Sequence, residues 1–334
     1  MHVKSCIIFM KKQDKYILIV SIEEDQSTSD VIDWLIRRKQ QFIRINTSKE
    51  VSLKSIEILN KKTSYSFEYN NLCINESNIK CLWYRKGLIK IKSQKLNEAL
   101  LKFDWYFNGE KDSLKSFLLN ELDKLSPISK FSNSNINKLI QLTVASSCDL
   151  KIPDTIVTNE KPLIDFFIQN QSVVTKSIQI PFVFADNKNI YSLLTNEFSQ
   201  NDLAKAHSKF FYTLFQNTIV KEYELRIFYL DKTFYSMAIF SQRNTKTKID
   251  FRNYDFNTPN RCIPFTLPNE IKNKLQKFMR KLNLTSGSID MLVDKNNNYY
   301  FLEVNPVGQF GMVSIPCNYF LEKKIADYLQ KQKK

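Results

Sequence analysis

The sequence predicts an α/β (α+β) chain, and three observations carry that prediction. Short apolar, β-branched runs such as YILIV (16–20) and FIRIN (42–46) alternate with amphipathic stretches of helix length such as VIDWLIRRKQ. Hydrophobic residues make up 43% of the 334 positions and aromatics 13%, enough to build well-packed cores. The length exceeds what one small domain uses, so two or three domains are expected.

Taken in order, CIIFM (from residue 6) and YILIV read as strands. STSD (27–30) offers N-caps for the helix VIDWLIRRKQ, and FIRIN follows as a strand. KSIEIL and TSYSFEY (54–69) alternate like a hairpin, and IKCLWYRK (79–86) is a further strand. Leu and Phe recur at helical spacing from KLNEALL through residue 125. SPIS (126–129) is the expected boundary, after which Ser134 caps a helix over INKLIQLTVASSCD. IPDTIVT (152–158) reads as a strand, 160–170 as a helix, and SVVTKSI (172–178) as another strand. FYTLFQNTIVKEYELRIFYL, the turn Asp231–Lys232 and TFYSMAIFSQ come next. A long polar segment, the helix NEIKNKLQKFMRKLN and a last hairpin complete the chain.

Composition narrows the function classes. No apolar run approaches the ~18 residues of a membrane span. The opening MHVKSCIIFMKKQDK holds too short an apolar run for a signal-peptide core. Six scattered cysteines without a CxxC pair favour neither disulfides nor a zinc site, which points to a reducing cytoplasm. The net charge of +15 fits an acidic partner; the basic residues are spread along the chain, unlike a nucleic-acid patch. GxxxxGK[ST] and GxGxxG are both missing, and glycine occurs only five times, which argues against a P-loop kinase or a Rossmann dehydrogenase. His2 and His207 read as surface residues, and no Ser-His or Cys-His nucleophile system is evident. An enzyme built this way works through metal, positive charge and positioning.

The last hairpin carries the sharpest chemical signal. GSIDMLV (287–293) and YYFLEVN (299–305) flank DKNNN, a turn composition. With Asn296 and Asn297 in a two-residue type I′ turn, Asp290 falls directly opposite Glu303. Like charges so placed are destabilising unless a cation lies between them. Asn305 adds an amide oxygen on the Glu303 face, and three hard oxygen donors suit Mg²⁺ better than zinc or calcium. The competing reading is a solvent-facing strand, which the apolar neighbours Phe301, Leu302, Val304 and Pro306 oppose.

Further upstream, Glu224 and Arg226 in EYELRIF share one strand face, as do Glu222 and Phe228. A glutamate can hold ribose hydroxyls, and an arginine can clamp phosphate in a forked geometry. Lys176 sits among Val173, Val174 and Ile178, where it is either a partner for an anion or an edge-strand gatekeeper. Lys138 opens a helix, and DFRN (250–253) places another arginine in a polar loop.

Together these motifs resemble the ATP-grasp ligases: a lysine before a strand, a lysine in one, an adenine-hinge segment, and a final Asp…Glu-x-Asn. Within that superfamily the chain resembles graspetide synthetases, the peptide maturases of the microviridin and grasp-with-spasm kinds. STSDVIDWL, FIRIN, LWYRK (82–86), NKLIQLTVASSCDLKIPDTIVTN (137–159), FQNTIVKEYELRIF, IDFR and SIDMLV…FLEVNPVGQF carry the likeness. It spans nearly the whole chain and implies an ATP-grasp fold behind an N-terminal α/β pre-ATP-grasp domain over 1–125. A central subdomain over 126–212 and a C-terminal one over 213–334 would follow. The resemblance implies Lys138 and Lys176 on nucleotide phosphates, Gln216, Asn217, Thr218 and Ile219 against adenine, and Glu224 on the ribose. Asn253 would lie with the nucleotide, Arg226 and Arg252 would act as catalytic groups on the transferring phosphoryl, and Asp290, Glu303 and Asn305 would hold Mg²⁺. The glycine-rich lid common in such enzymes has no counterpart in SIQIPFVFADNKN, which lacks glycine.

The activity so implied is ATP- and Mg²⁺-dependent crosslinking of a ribosomally made precursor peptide, leader plus acid-rich core, by ω-ester or ω-amide bonds. The resemblance also implies a homodimer, while the cysteine usage points to the cytoplasm and the composition to neither nucleic acid nor membrane as partner. The alternatives are another carboxylate–amine ligase, such as a ribosomal-protein glutamate ligase, an ATP-binding regulatory module without turnover, or, third, a basic nucleic-acid binder.

Overall fold

The computed structural model describes residues 15–93, 97–169, 172–179, 182–186, 190–193, 195–242 and 258–332. The strand expected from residue 6 lies outside these, as do Arg252 and Asn253. Residues 1–134 with 320–334 form one compact unit, and 135–319 form the other. Residues 126–134, expected beyond the first boundary, thus belong to the first unit, as does the end of the chain.

In the first unit, β1 (Tyr16–Ser21) is buried at every position, the continuous apolar run of a central parallel strand. Helix α1 (Gln26–Arg37) carries the chain across to β2 (Phe42–Asn46), parallel to β1. The helix begins after Asp25, earlier than the expected cap at 27–30, and Ser27 and Thr28 are buried in its first turn. Strands β3 (Glu50–Leu59), β4 (Lys62–Tyr69) and β5 (Leu72–Asn75) form an antiparallel meander. Asn60 and Lys61, then Asn70 and Asn71, have positive φ at both turn positions, so each corner is a two-residue turn that matches strand twist. Strand β6 (Ile79–Tyr84) returns to the other side of β1, giving the parallel order β2-β1-β6. The short β7 (Lys90–Ile91) pairs with β3. The expected long helix is interrupted at Phe103 into α2 (Glu98–Leu101) and α3 (Asp104–Asp123).

The second unit opens with α4 (Lys138–Ser146), capped by the Asn137 side chain on Leu139 N, where Ser134 was expected. Strand β8 (Thr155–Glu160), α5 (Lys161–Ile168), β9 (Val173–Lys176), the hairpin β10 (Phe182–Ala185) and β11 (Ile190–Leu193), β12 (Asn196–Phe198), α6 (Gln200–Lys205) and β13 (Lys209–Asn217) follow. They give a four-stranded sheet of order β12-β9-β13-β8. A division at 212/213 would cut through β13. His207 is exposed, just past α6.

Strands β14 (Lys221–Leu230), β15 (Thr233–Phe240) and β16 (Arg261–Phe265), helix α7 (Asn269–Lys281), and strands β17 (Ser286–Asp294) and β18 (Tyr299–Asn305) build a five-stranded antiparallel sheet of order β16-β15-β14-β17-β18. The β14–β15 corner is the expected Asp231–Lys232 turn, both residues with positive φ. One face of the sheet packs Leu225, Ile227, Ile289, Met291, Phe301 and Val304 against Leu142 and Ala145 of α4 and Leu275, Phe278 and Met279 of α7. The other face is left for polar side chains of β14, β17 and β18. Helix α8 (Gly311–Cys317) follows, and α9 (Leu321–Lys331) belongs to the first unit, where Asp327 meets Arg38 at 2.6 Å.

The β17–β18 turn differs from expectation. Only Asn297 has positive φ, and Asp294 N donates to Asn298 O, so the loop has three residues, 295–297. The Asp294 carboxylate accepts from the backbone of Asn296 and Asn298 and from the Asn298 side chain, which holds its pKa below the usual carboxylate range.

Candidate functional site

The three-residue turn sets Val293 against Tyr299, Leu292 against Tyr300 and Met291 against Phe301. Continued without a break, that register would place Leu302 opposite Asp290. A β-bulge shifts the register between Asp290 and Met291, and Asp290 pairs with Glu303 after all. The expected pairing holds, through a bulge at Leu302 in place of a two-residue turn. Across the other edge of β17, Arg226 on β14 is the partner of Asp290. Arg226, Asp290 and Glu303 therefore form one row across three neighbouring strands.

The row supplies its own charge balance. Arg226 Nη1 donates to both Asp290 oxygens at 2.6 Å. Lys138, on the first turn of α4, places Nζ 3.0 Å from Glu303 Oε2 and donates to Ser177 O at 3.0 Å. Asn305, opposite Ser288, is exposed, and its Oδ1 accepts from Val307 N at 3.2 Å. Gly308 closes this loop over Ser288, where an added Cβ would lie 2.5 Å from the Ser288 Cβ.

Asp290 and Glu303 end a cavity of about 270 Å³, which also takes in Gln216, Asn217, Thr218 and Ile219. Those four span the end of β13 and the hinge into β14. Asn217 N donates to Asp154 O (3.0 Å) and Thr218 N to Ser172 O (2.7 Å), which ties the hinge to the four-stranded sheet. Gln216 Nε2 donates to Thr155 Oγ1 at 2.8 Å. Lys176, at the end of β9, lines the same cavity. Because β9 lies between β12 and β13, the edge-strand reading of Lys176 falls away.

Glu224 is buried in the cavity wall, its Oε1 accepting from Lys221 Nζ at 2.6 Å and from Ser241 Oγ at 2.8 Å. Lys221 was not foreseen, because strict alternation puts Glu222 beside Glu224. A second bulge, between Lys221 and Tyr223, buries Lys221 and leaves Glu222 exposed. Lys138, Arg226 and Asn305 do not line the cavity.

The residues present fit a magnesium nucleotide. Arg226 Nε, Asn217 Oδ1 and Thr218 Oγ1 are buried without a hydrogen-bond partner among the described residues, which a polar ligand would satisfy. The described residues hold no group of three or more His, Cys, Asp or Glu fit for a metal. Two carboxylates and an amide suit Mg²⁺, which keeps open positions for phosphate oxygens and water.

No protein-family model matches the chain, and no curated protein does. Among solved structures, the chain is similar to a Chryseobacterium gregarium RiPP-associated ATP-grasp ligase in complex with ADP and a leader and core peptide. That similarity has 25% identity over 96% of this chain and 98% of the other, with a TM-score of 0.78. It is similar to the macrocyclase MdnC of Microcystis aeruginosa, bound with precursor peptide MdnA, at 25% identity over 94% and 99% with a TM-score of 0.73. The ATP-grasp ligase PsnB, complexed with minimal precursor, Mg and ADP, shares the fold at 17% identity over 97% and 99%, with a TM-score of 0.68.

Proposed function

We propose that this chain, an ATP-grasp ligase of the graspetide-synthetase kind, matures a ribosomally made precursor peptide. A side-chain carboxylate of the peptide, Asp or Glu, attacks the γ-phosphorus of ATP, and ADP leaves. A Ser or Thr hydroxyl or a Lys amine of the same peptide then attacks the acyl carbon and loses its proton, and phosphate departs. The product is an ω-ester or ω-amide macrocycle.

The observation that carries this reading is the Arg226–Asp290–Glu303 row at the end of the hinge cavity. Bound Mg²⁺ would neutralise the charge that develops on the phosphoryl group ATP supplies. Asp290, Glu303 and Asn305 hold the ion; Lys138 and Lys176 hold phosphate oxygens; the hinge from Gln216 to Ile219 receives the base. Glu224, held in place by Lys221 and Ser241, receives the ribose hydroxyls. Arg226 and Arg252 neutralise the phosphoryl group in flight, with Asn253 beside the nucleotide. The chain itself supplies no nucleophile. The positive charge of the chain suits an acid-rich core peptide, and the same reading includes a cytoplasmic homodimer.

Mass spectrometry of the protein with ATP, Mg²⁺ and any short acid- and hydroxyl-rich peptide found encoded in a neighbouring reading frame tests the reading. Each crosslink removes one water, about 18 Da, by the stoichiometry of phosphate-activated acyl transfer. Hydroxylamine then cleaves ester rings and leaves amide rings closed. A gain in mass from added free amino acid would favour the glutamate-ligase alternative instead, and an unchanged peptide would overturn the maturase.

A further inference from the structure

The bulge that faces Glu303 with Asp290 needs an anchor, because β18 is the edge of its sheet. Along an edge strand every second N–H points away from the sheet. Phe301 N points outward and donates to Lys151 O at 2.8 Å. Without a bulge the next outward amides would be those of residues 303 and 305. The outward amide found is that of Val304, and it donates to the side-chain Oε1 of Gln141 at 2.7 Å.

Gln141 is buried on α4, and its Nε2 donates to Ile136 O at 2.8 Å, so the carboxamide is fixed at both ends. It lies one helical turn from Lys138, which meets Glu303 on the neighbouring residue of β18. Side-chain parity agrees: Phe301 and Val304, three apart, both enter the core, while Leu302 and Glu303, adjacent in sequence, both line the cavity. A β18 in the unbulged register would turn Glu303 toward the core.

We infer that Gln141 is a positioning residue of the metal site. It accepts the one backbone N–H that only the bulged register offers it, and so keeps Glu303 opposite Asp290. The inference rests on the proposed role of Asp290 and Glu303 as Mg²⁺ ligands.

The test is calorimetric titration of ADP into the full chain over a range of Mg²⁺, with melting temperature followed alongside. Gln141→Met removes the acceptor at similar volume. Its half-saturating Mg²⁺ is expected to rise by roughly 10- to 100-fold, as for loss of other groups that orient metal ligands, with ADP binding in EDTA within about twofold of wild type. Leu275→Ala, which loosens the same core from α7, should lower the melting temperature and leave half-saturating Mg²⁺ where it was. If Gln141→Met does only what Leu275→Ala does, the side chain is merely structural and the inference is overturned. Should wild-type ADP binding prove independent of Mg²⁺, the metal reading itself fails, a different result. Hydrogen exchange on the wild type decides the matter even if Gln141→Met does not fold. The Val304 amide should exchange slowly, and exchange as fast as that of the 295–297 turn would overturn the inference.

Discussion

Asp25 with Arg85 in the first unit, and Asp290 with Arg226 in the second, are the same two groups in different surroundings. The Asp25 and Arg85 side chains are 0% and 3% exposed, with Arg85 Nε 3.5 Å from the carboxylate and Lys86 Nζ at 3.8 Å. Ser21 and Thr28 donate their hydroxyls to the same carboxylate oxygen, at 3.0 and 2.5 Å. Asp290 and Arg226 are each 11% exposed, and Asp290 borders the cavity. Sealed away, a carboxylate–guanidinium pair ties β1, α1 and the end of β6 together. Placed beside a cavity, with a second acid across the strand, the same pair can exchange partners with a ligand.

The largest separation between the two should come from removing each carboxylate's charge. Asp290→Asn is expected to lower ATP-dependent dehydration of the peptide by at least ~10²-fold, as for other groups that stabilise transition-state charge, while the fold persists. Mass spectrometry read beside a thermal melt checks this, and undiminished loss of water would remove Asp290 from the proposed metal site. Asp25→Ala should do the reverse. It strands a buried guanidinium, at a cost of about 3–5 kcal/mol in stability, read from urea unfolding. Nucleotide affinity of the molecules that remain folded should be unchanged.

The smallest effect is on acid stability. Burial by itself raises the Asp25 pKa, but Arg85, the hydroxyl of Thr28, Lys86 and Ser21 together hold it below the usual range. A depressed folded-state value means that this stabilisation is complete above the unfolded pKa, about 4. It is lost as pH falls through the folded value. Urea midpoints measured downward from neutral pH should therefore drop more steeply below that point in wild type than in Asp25→Asn. Parallel curves would show that Asp25 titrates alike folded and unfolded.

Much of this molecule was legible from residue types. The runs YILIV and FIRIN, the Asp231–Lys232 corner and the amphipathic NEIKNKLQKFMRK segment fall where they were expected. Their signals are local: period, turn chemistry and branched side chains. Helix starts were less legible: α1 begins directly after Asp25, ahead of Ser27 and Thr28, and Asn137 takes the capping role expected of Ser134. In the site, Asp290 pairs with Glu303 as expected, but through a bulge at Leu302 and not through a two-residue turn. FLEVN contained the clue: Phe301 and Val304 are both core residues, and strict alternation cannot put residues three apart on one face.

The sequence by itself determined the alternation of strands and helices, the lack of a glycine-rich phosphate loop, and a strand pair carrying two acids and an amide. Those follow from side-chain chemistry and from periods of two and 3.6 residues, which need no knowledge of what packs where. Only the tertiary structure decided which side of each strand those groups occupy. Bulges at Glu222 and Leu302 reverse the parity of β14 and β18, and a bulge persists only when partners from elsewhere satisfy the displaced backbone and side chains. For β18 that partner is Gln141, more than 160 residues away along the chain. Periodicity within a strand carries no trace of a partner so distant.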